Sequence, residues 1–187
     1  MFVDIFNTNK KYQVIYADPP WQYNNKRTGG SMNSGSASKY PVLSLEKLAE
    51  LPEPSIASKD SVLFLWTTVP LLQEGIILLN MWGYKYKTSL FWRKIMSLGM
   101  GFWFRGQVEM CLLGVRGHVK PFRLQKTNFL QTKALRHSEK PEDIRHLIEL
   151  TGLLPRIELF ARQQVDGWDC WGNEVSPSVG ATKLEEG

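Results

Sequence analysis

Apolar, β-branched runs that alternate with helical stretches predict an α/β fold: one mostly parallel sheet with helices on both faces. Two observations carry this. Tyr12–Ala17 and Ser61–Trp66 are short, nearly unbroken runs of Val, Ile, Leu and aromatic residues, the pattern of strands buried on both faces. Between and after them, apolar residues recur at helical spacing. A third observation concerns the edge of the sheet. The first run stops at Asp18-Pro19-Pro20-Trp21, where two prolines offer a sheet no amide donors. A carboxylate, a stiff turn and an exposed indole are therefore expected at the carboxyl end of a central strand, where open α/β sheets bind ligands.

The remaining elements follow in order. Residues 22–40 are rich in Gly and Ser, and a loop of that length inside a compact domain reads as a lid or a disordered segment. It lacks the Gly-Lys-Ser/Thr ending of a phosphate-binding loop, which excludes a nucleoside-triphosphate cradle. Ser44 is placed to cap a helix through Leu51, with Leu45, Leu48 and Leu51 along one side. Pro70 opens an apolar helix to Trp82, closed by Gly83. Tyr84–Trp92 and Val108–Val115 read as strands, joined by the basic, aromatic residues 93–106. Residues 116–140 are basic and read as irregular. Pro141 opens a helix to about Thr151, and Ile157–Ala161 is the last clear strand. From Ser176 the chain turns small and polar, as a frayed tail does. With no internal repeat and 187 residues, a single domain is expected.

Composition narrows the classes. No apolar run reaches the ~18 residues that span a bilayer, and no signal peptide opens the chain, so a cytoplasmic protein is expected. Cys111 and Cys170 make no disulfide framework, and three scattered histidines make no metal cluster; no metal is expected. The net charge is +5 and uneven: Tyr84–Arg145 holds 13 Lys/Arg against 4 Asp/Glu, while the rest holds 10 against 14. Such a block suits a polyanionic partner or is simply a solvated face.

Asp18 has a specific use if the partner is nucleic acid. The exocyclic amine of adenine is a poor nucleophile, because its lone pair is delocalised into the ring. A carboxylate and a backbone carbonyl can accept its two hydrogens and localise that lone pair toward an incoming methyl group. Asp18 and the Pro19 carbonyl could supply these acceptors, with Pro20 holding the turn rigid and Trp21 stacking on the base. The competing reading is an ordinary Pro-Pro turn beside a solvated aspartate. A second set lies toward the C-terminus, in Lys140-Pro141, Glu158-Leu159-Phe160-Ala161-Arg162 and Gly167-Trp168-Asp169-Cys170-Trp171-Gly172-Asn173-Glu174. Acids for ribose, amides for an adenine edge and a cation for a carboxylate are what a nucleoside cofactor requires. Each residue singly has a plainer role in packing, turns or solvation.

Together these motifs resemble small bacterial or phage members of the MT-A70 family of adenine methyltransferases, from Tyr12 to about Glu174. The resemblance runs through Tyr40-Pro41, Leu63-Phe64-Leu65-Trp66, Trp82-Gly83-Tyr84, Phe102-Trp103-Phe104-Arg105, Glu109-Met110-Cys111-Leu112, Gly114-Val115-Arg116-Gly117 and His137-Ser138-Glu139-Lys140-Pro141. It implies a Rossmann-like methyltransferase fold, with the catalytic motif before the cofactor motif, and S-adenosylmethionine as methyl donor. By similarity, Lys140 would pair with the methionine carboxylate, Arg162 and Gln164 would lie near the ribose, Glu158 would orient that region, and Phe160 would also contact the cofactor. Asn173 and Glu174 would reach ribose and adenine. Asp4 and Ile5 would correspond to the family's adenine-contacting pair, with Asp18 also near the cofactor. Position 164 is glutamine where the messenger-RNA enzyme has histidine.

The expected substrate is adenine in DNA, with RNA as the alternative within the same chemistry. Tyr23, Arg105, Arg116, Lys120, Arg123, Lys126, Arg136, His137 and Ser138 are the candidate nucleic-acid contacts. A homodimer would widen that grip. A catalytically silent binding partner is the rival of another class, and the intact Asp-Pro-Pro-Trp tetrad argues against it. Methylation of a protein glutamine amide is a second rival; its enzymes begin the motif with asparagine, whereas position 18 is aspartate.

Overall fold

The computed structural model describes residues 1–22, 42–95, 103–133 and 140–175. Most of the Gly/Ser segment lies outside them, as do Tyr23, Arg136, His137 and Ser138.

Seven strands form one sheet: β1 (Tyr12–Ala17), β2 (Ala57–Thr68), β3 (Lys85–Ile95), β4 (Val108–Arg116), β5 (Phe129–Lys133), β6 (Arg156–Leu159) and β7 (Asp169–Trp171). Their order across the sheet is β5-β3-β4-β2-β1-β6-β7. β4 alone runs against its neighbours β2 and β3, and every other pairing is parallel. The sheet is thus mostly parallel, as the alternation predicts. The carboxyl ends of β1, β2, β3, β6 and β7 share one edge with the start of β4, because Thr68 pairs with Glu109.

Strand alternation sorts the core into two layers. Ile15, Ala17, Leu63, Leu65, Leu112, Ile157 and Leu159 face α1 (Leu45–Ala49), α2 (Glu53–Ile56) and α3 (Leu72–Met81) through Leu48, Ile56, Leu78, Leu79 and Trp82. Val14, Tyr16, Val62, Phe64, Trp66, Trp92 and Cys111 face α4 (Glu142–Glu149) through Ile144 and Ile148. Helices therefore cover both faces. Ser44 caps α1 as its sequence position requires, accepting from the Lys47 amide at 3.4 Å. Close approach of α3 to the sheet needs Gly114: a Cβ there would lie 2.9 Å from Leu79 Cδ1.

The structure differs from the sequence reading in several places: α3 begins at Leu72 after a short 3-10 turn, β3 runs on to Ile95 and β6 ends at Leu159. β2 begins at Ala57, four residues early, because Ser58-Lys59-Asp60 continue the ladder beyond the apolar run. β5 forms where irregular chain was expected: Phe129–Lys133 alternates in burial and pairs with Phe91–Ile95. β7 has only three residues, too short for an alternation to register.

Below α3's end of the sheet lies a buried carboxylate. Glu53 is fully buried and accepts from the Tyr84 hydroxyl at 2.8 Å, while its Oε2 has no hydrogen-bond partner. Burial pushes its carboxyl up to about 8. The folded chain therefore keeps a proton that the unfolded chain releases near 4.3, so stability falls as pH rises from there toward about 8. Glu53→Gln keeps the acceptor and removes the titration. Denaturant unfolding at about pH 5 and about pH 8.5 should show the variant gaining roughly 2 kcal/mol or more on wild type at the higher pH. An unchanged difference between the two pH values would show that Glu53 does not titrate in this window.

Candidate active site

Asp18 leaves β1 on the same face as Tyr16, with a carboxylate about one-fifth exposed. The next strand places Trp66 beside it, and Trp66 Nε1 donates to the Tyr16 hydroxyl at 2.8 Å. Both rings are almost wholly buried, so this bond fixes the floor of the site. Lys140, entering α4, donates from Nζ to Asp18 at 2.8 Å and lies 5.3 Å from the centre of the Trp66 ring. It also reaches Glu109 Oε2 at 3.3 Å. Glu109 in turn binds Lys94 of β3, which sits 4.9 Å from the centre of the Trp92 ring. The result is an alternating line of charges, Asp18–Lys140–Glu109–Lys94, laid over two indoles at the carboxyl edge of the sheet.

The line is electrostatically matched. Burial works against charge on Lys140, but Asp18 and Glu109 outweigh it and hold the ammonium above its usual range. Burial likewise works against Glu109 ionising, and Lys140 with Lys94 overcomes that and holds its carboxyl below the usual value. An Asp18 carboxylate beside this cation is an acceptor only, which is what an amine hydrogen needs.

The Pro-Pro turn is held from both sides. Trp21 N donates to the Pro19 carbonyl at 2.9 Å, and Leu43 N donates to the Pro20 carbonyl at 2.8 Å. The Pro19 oxygen retains a second lone pair for another donor. Trp21 departs from the exposed indole expected of it. Its ring is half-buried, packs against the α1 side of the core, and donates from Nε1 to the Trp66 carbonyl at 2.9 Å. The physical reason is the parallel bridge from Trp21 to Leu43, which pulls the turn onto the domain and fixes the indole's orientation.

The C-terminal set gathers at the ends of β6 and β7. Glu158 lies on the Asp18 face, salt-bridged to Arg145 at 2.8 Å; burial raises its carboxyl against the pull of that arginine. Phe160 turns the chain with a positive φ of 61° and meets the edge of Trp171 at 5.5 Å between ring centres. Arg162 approaches Glu174 at 3.6 Å, and Gln164 and Asn173 are exposed. Gly172 is required here, since a Cβ would fall 2.3 Å from the Ala161 carbonyl. Residues 1–3 run beside β7, with Phe2 bridged to Cys170, which delivers Asp4 and Ile5 to the same edge. The Asp4 carboxylate closes a turn by accepting from the Phe6 amide at 3.0 Å. Ile5 is buried in the core, so it offers a ligand only its backbone. This donor set suits a nucleoside bearing an amino acid: carboxylates and amides for hydroxyl and adenine edges, and a close backbone approach at Gly172.

The basic candidates divide. Arg116 ends β4, roughly 23 Å along the strand from Glu109 at ~3.3 Å per residue, and donates to the Pro54 carbonyl at 3.1 Å. It belongs to the opposite edge of the sheet and is separated from Asp18. Lys120, Arg123 and Lys126 are exposed on a segment that crosses the α4 face, where Phe122 stacks on Phe64 at 6.4 Å. Arg105 is exposed between β3 and β4 at the Asp18 edge. Sequence reasoning named Trp66 and Glu109 only within motifs of the resemblance and Lys94 only as a charge for nucleic acid, and it gave none of them, nor Tyr16, a place beside Asp18. The signal was present: Lys94 and Glu109 share strand parity with buried Trp92 and Cys111, so their charges had to enter the covered face.

Comparison with known proteins follows this geometry. The MT-A70 family model matches residues 12–174. The chain is 41% identical over 184 residues to the Type II methyltransferase M.MunI of a Mycoplasma species, covering 89% of this chain and 78% of that protein. It is 28% identical over 197 residues to an N(6)-adenosine-methyltransferase MT-A70-like protein of Arabidopsis thaliana, covering 99% of this chain and 26% of the relative. It is 28% identical over 176 residues to the human N(6)-adenosine-methyltransferase catalytic subunit METTL3, covering 88% and 28%. It therefore spans most of the bacterial protein and about a quarter of the eukaryotic ones. With its match running from the first strand past the last, the chain belongs to the MT-A70 family of adenine methyltransferases.

Proposed function

We propose that the chain transfers a methyl group from S-adenosylmethionine to the exocyclic amine of adenine in DNA. The observation that carries this reading is Asp18, an acceptor-only carboxylate at the end of a central strand, held by Lys140 beside a rigid proline carbonyl. S-adenosylmethionine supplies an electrophilic methyl when bound. The chain's part is alignment. Asp18 and the Pro19 carbonyl accept the two amine hydrogens and direct the lone pair outward. The Trp21 indole, fixed through Nε1, supports the base plane. Lys140 holds the Asp18 carboxylate in place, and the covered α4 face keeps water from the reacting atoms. Such preorganised polar groups contribute most when they need no reorganisation during reaction.

Phe160, Arg162, Gln164, Asn173 and Glu174, with Asp4 and the Ile5 backbone, are the proposed cofactor contacts, and Lys140 has a third ammonium hydrogen for the methionine carboxylate. Glu158 borders them through Arg145. DNA is preferred because the chain covers 78% of a bacterial type II methyltransferase and 28% of the human adenosine enzyme. No described helix is long and apolar enough to cross a membrane; the reading places the chain in the cytoplasm with its substrate.

Transfer of labelled methyl to matched single- and double-stranded DNA and RNA tests the substrate class. DNA should be the better acceptor at equal adenine content, and preference for RNA would overturn that part. The grip should be electrostatic. Neutralising Lys120, Arg123 and Lys126 together should reduce the slope of log affinity against log salt by about 2–3, near one unit for each phosphate left without its cation. Arg116→Gln should leave it unchanged, because Arg116 occupies the far edge. Equal effects from both would remove the α4-face segment as the track for the backbone.

A further inference from the structure

The loop between β3 and β4 presents two adjacent aromatic side chains that pack against almost nothing. Trp103 is 93% exposed and Phe104 90%, the two most exposed large apolar side chains among the described residues. Single exposed apolar residues are ordinary, but two consecutive aromatics held fully in solvent call for an occupant. Their position is specific. The loop leaves from the edge at which Lys94 N bonds the Gln107 carbonyl and Glu109 joins Lys140 and Asp18. Trp103 is six residues from Glu109, a reach of at most ~20 Å.

The surroundings decide the kind of partner. Arg105 follows the pair directly, and Arg93 and Lys133 are exposed at the ends of the adjoining strands. Arg93, Lys94, Arg105 and Lys133 thus lie at this end of β3, β4 and β5, and the acidic residue Glu109 beside them is already engaged by two lysines. A second copy meeting this surface about a two-fold axis would place the same cationic stretch against itself. A polyanion with flat apolar faces fits both features, and that describes stacked bases on a phosphate backbone.

The reaction also needs such an element. An adenine inside a duplex must leave the stack before its amine can reach Asp18, and apolar side chains inserted between base steps offset the lost stacking. We propose that Trp103 and Phe104 form a wedge that enters the duplex beside the target adenine, with Arg105 on the flanking phosphate. This rests on the adenine-methylating function given above and deepens it. The wedge makes extrusion easier, so it matters for paired adenines and little for adenines already unpaired.

The experiment compares long mixed-sequence DNA, native or heat-denatured, as methyl acceptor for wild type, Trp103→Ala/Phe104→Ala and Trp103→Tyr. The ratio of native to denatured rates should fall at least ~10-fold in the double variant, and Trp103→Tyr should restore most of it, as a stacking ring would. Both side chains are exposed, so thermal unfolding of the variants should match wild type. An unchanged ratio, or equal loss on both forms, overturns the wedge. Wild type that sediments as a dimer while the double variant is monomeric also overturns it, and makes the pair a contact between copies. Wild type that methylates neither form defeats the underlying functional reading instead, before any variant is compared.

Discussion

Asp18→Asn should fold like wild type and lose methyl transfer by on the order of 10²-fold or more, the usual scale for a preorganised polar group aimed at the reacting centre. Asparagine preserves the shape and one acceptor oxygen, but it replaces the other oxygen with a donor. The amide can then point hydrogens at Lys140 or at the substrate amine, and neither pairing is productive. The Lys140 contact at 2.8 Å makes the change more than local, because among the described residues Lys140 would retain only Glu109 as an anionic partner. Kinetics on the folded variant, with circular dichroism as the control, check this. Turnover within a few-fold of wild type would remove Asp18 from the chemistry.

Lys140→Ala should have the second largest effect, and in two separable ways. It removes the cation that lies between Asp18 and Glu109, leaving two carboxylates facing one another in a largely covered site. Removing one partner from a buried network costs ~3–5 kcal/mol; with both carboxylates about one-fifth exposed, about 2–3 kcal/mol is expected after screening. Transfer should fall with it, since Asp18 loses the partner that positions it. Adding Glu109→Gln relieves the facing charges and should recover most of the stability but not the transfer. Denaturant unfolding and rate measurements on the single and double variants check the split. Recovery of both together would mean that Lys140 only stabilises the fold. The sign with pH follows from the same contacts. The Glu109 contribution is present above ~4.3 and lost as pH falls through its depressed folded value; the Lys140 contribution is present below ~10.4 and lost as pH rises through its elevated one. The cluster is thus fully assembled throughout the neutral range.

The parts of the fold legible in the sequence were those where one residue type had a single physical use. Tyr12–Ala17 and Ser61–Trp66 could only be doubly buried strands, and Asp18-Pro19-Pro20 could only end one of them. Lys140 was legible as a site residue through its place before Pro141, but not for its contact with Asp18, 122 residues away in sequence. Glu109 and Lys94 were hidden for a different reason. A charge at a strand end is ordinarily solvated, and only the closure of α4 over that face turns the pair into part of a buried network. β5 was missed because its polar residues, Gln131, Thr132 and Lys133, continue the basic composition around it. Its pairing comes from the edge of β3 rather than from its own apolar content. The place of Arg116 at the edge away from Asp18 was not legible either, because net charge counts residues without saying which edge of the sheet they occupy.

The central claim is that Asp18 directs the amine of adenine to a methyl group. The most direct measurement is hydrolysis of DNA treated with the chain and methyl-labelled S-adenosylmethionine, followed by separation of the bases. The account predicts label in N6-methyladenine alone, produced by wild type and absent with Asp18→Asn. Label in cytosine or in protein amide, or equal N6-methyladenine from both proteins, would contradict it.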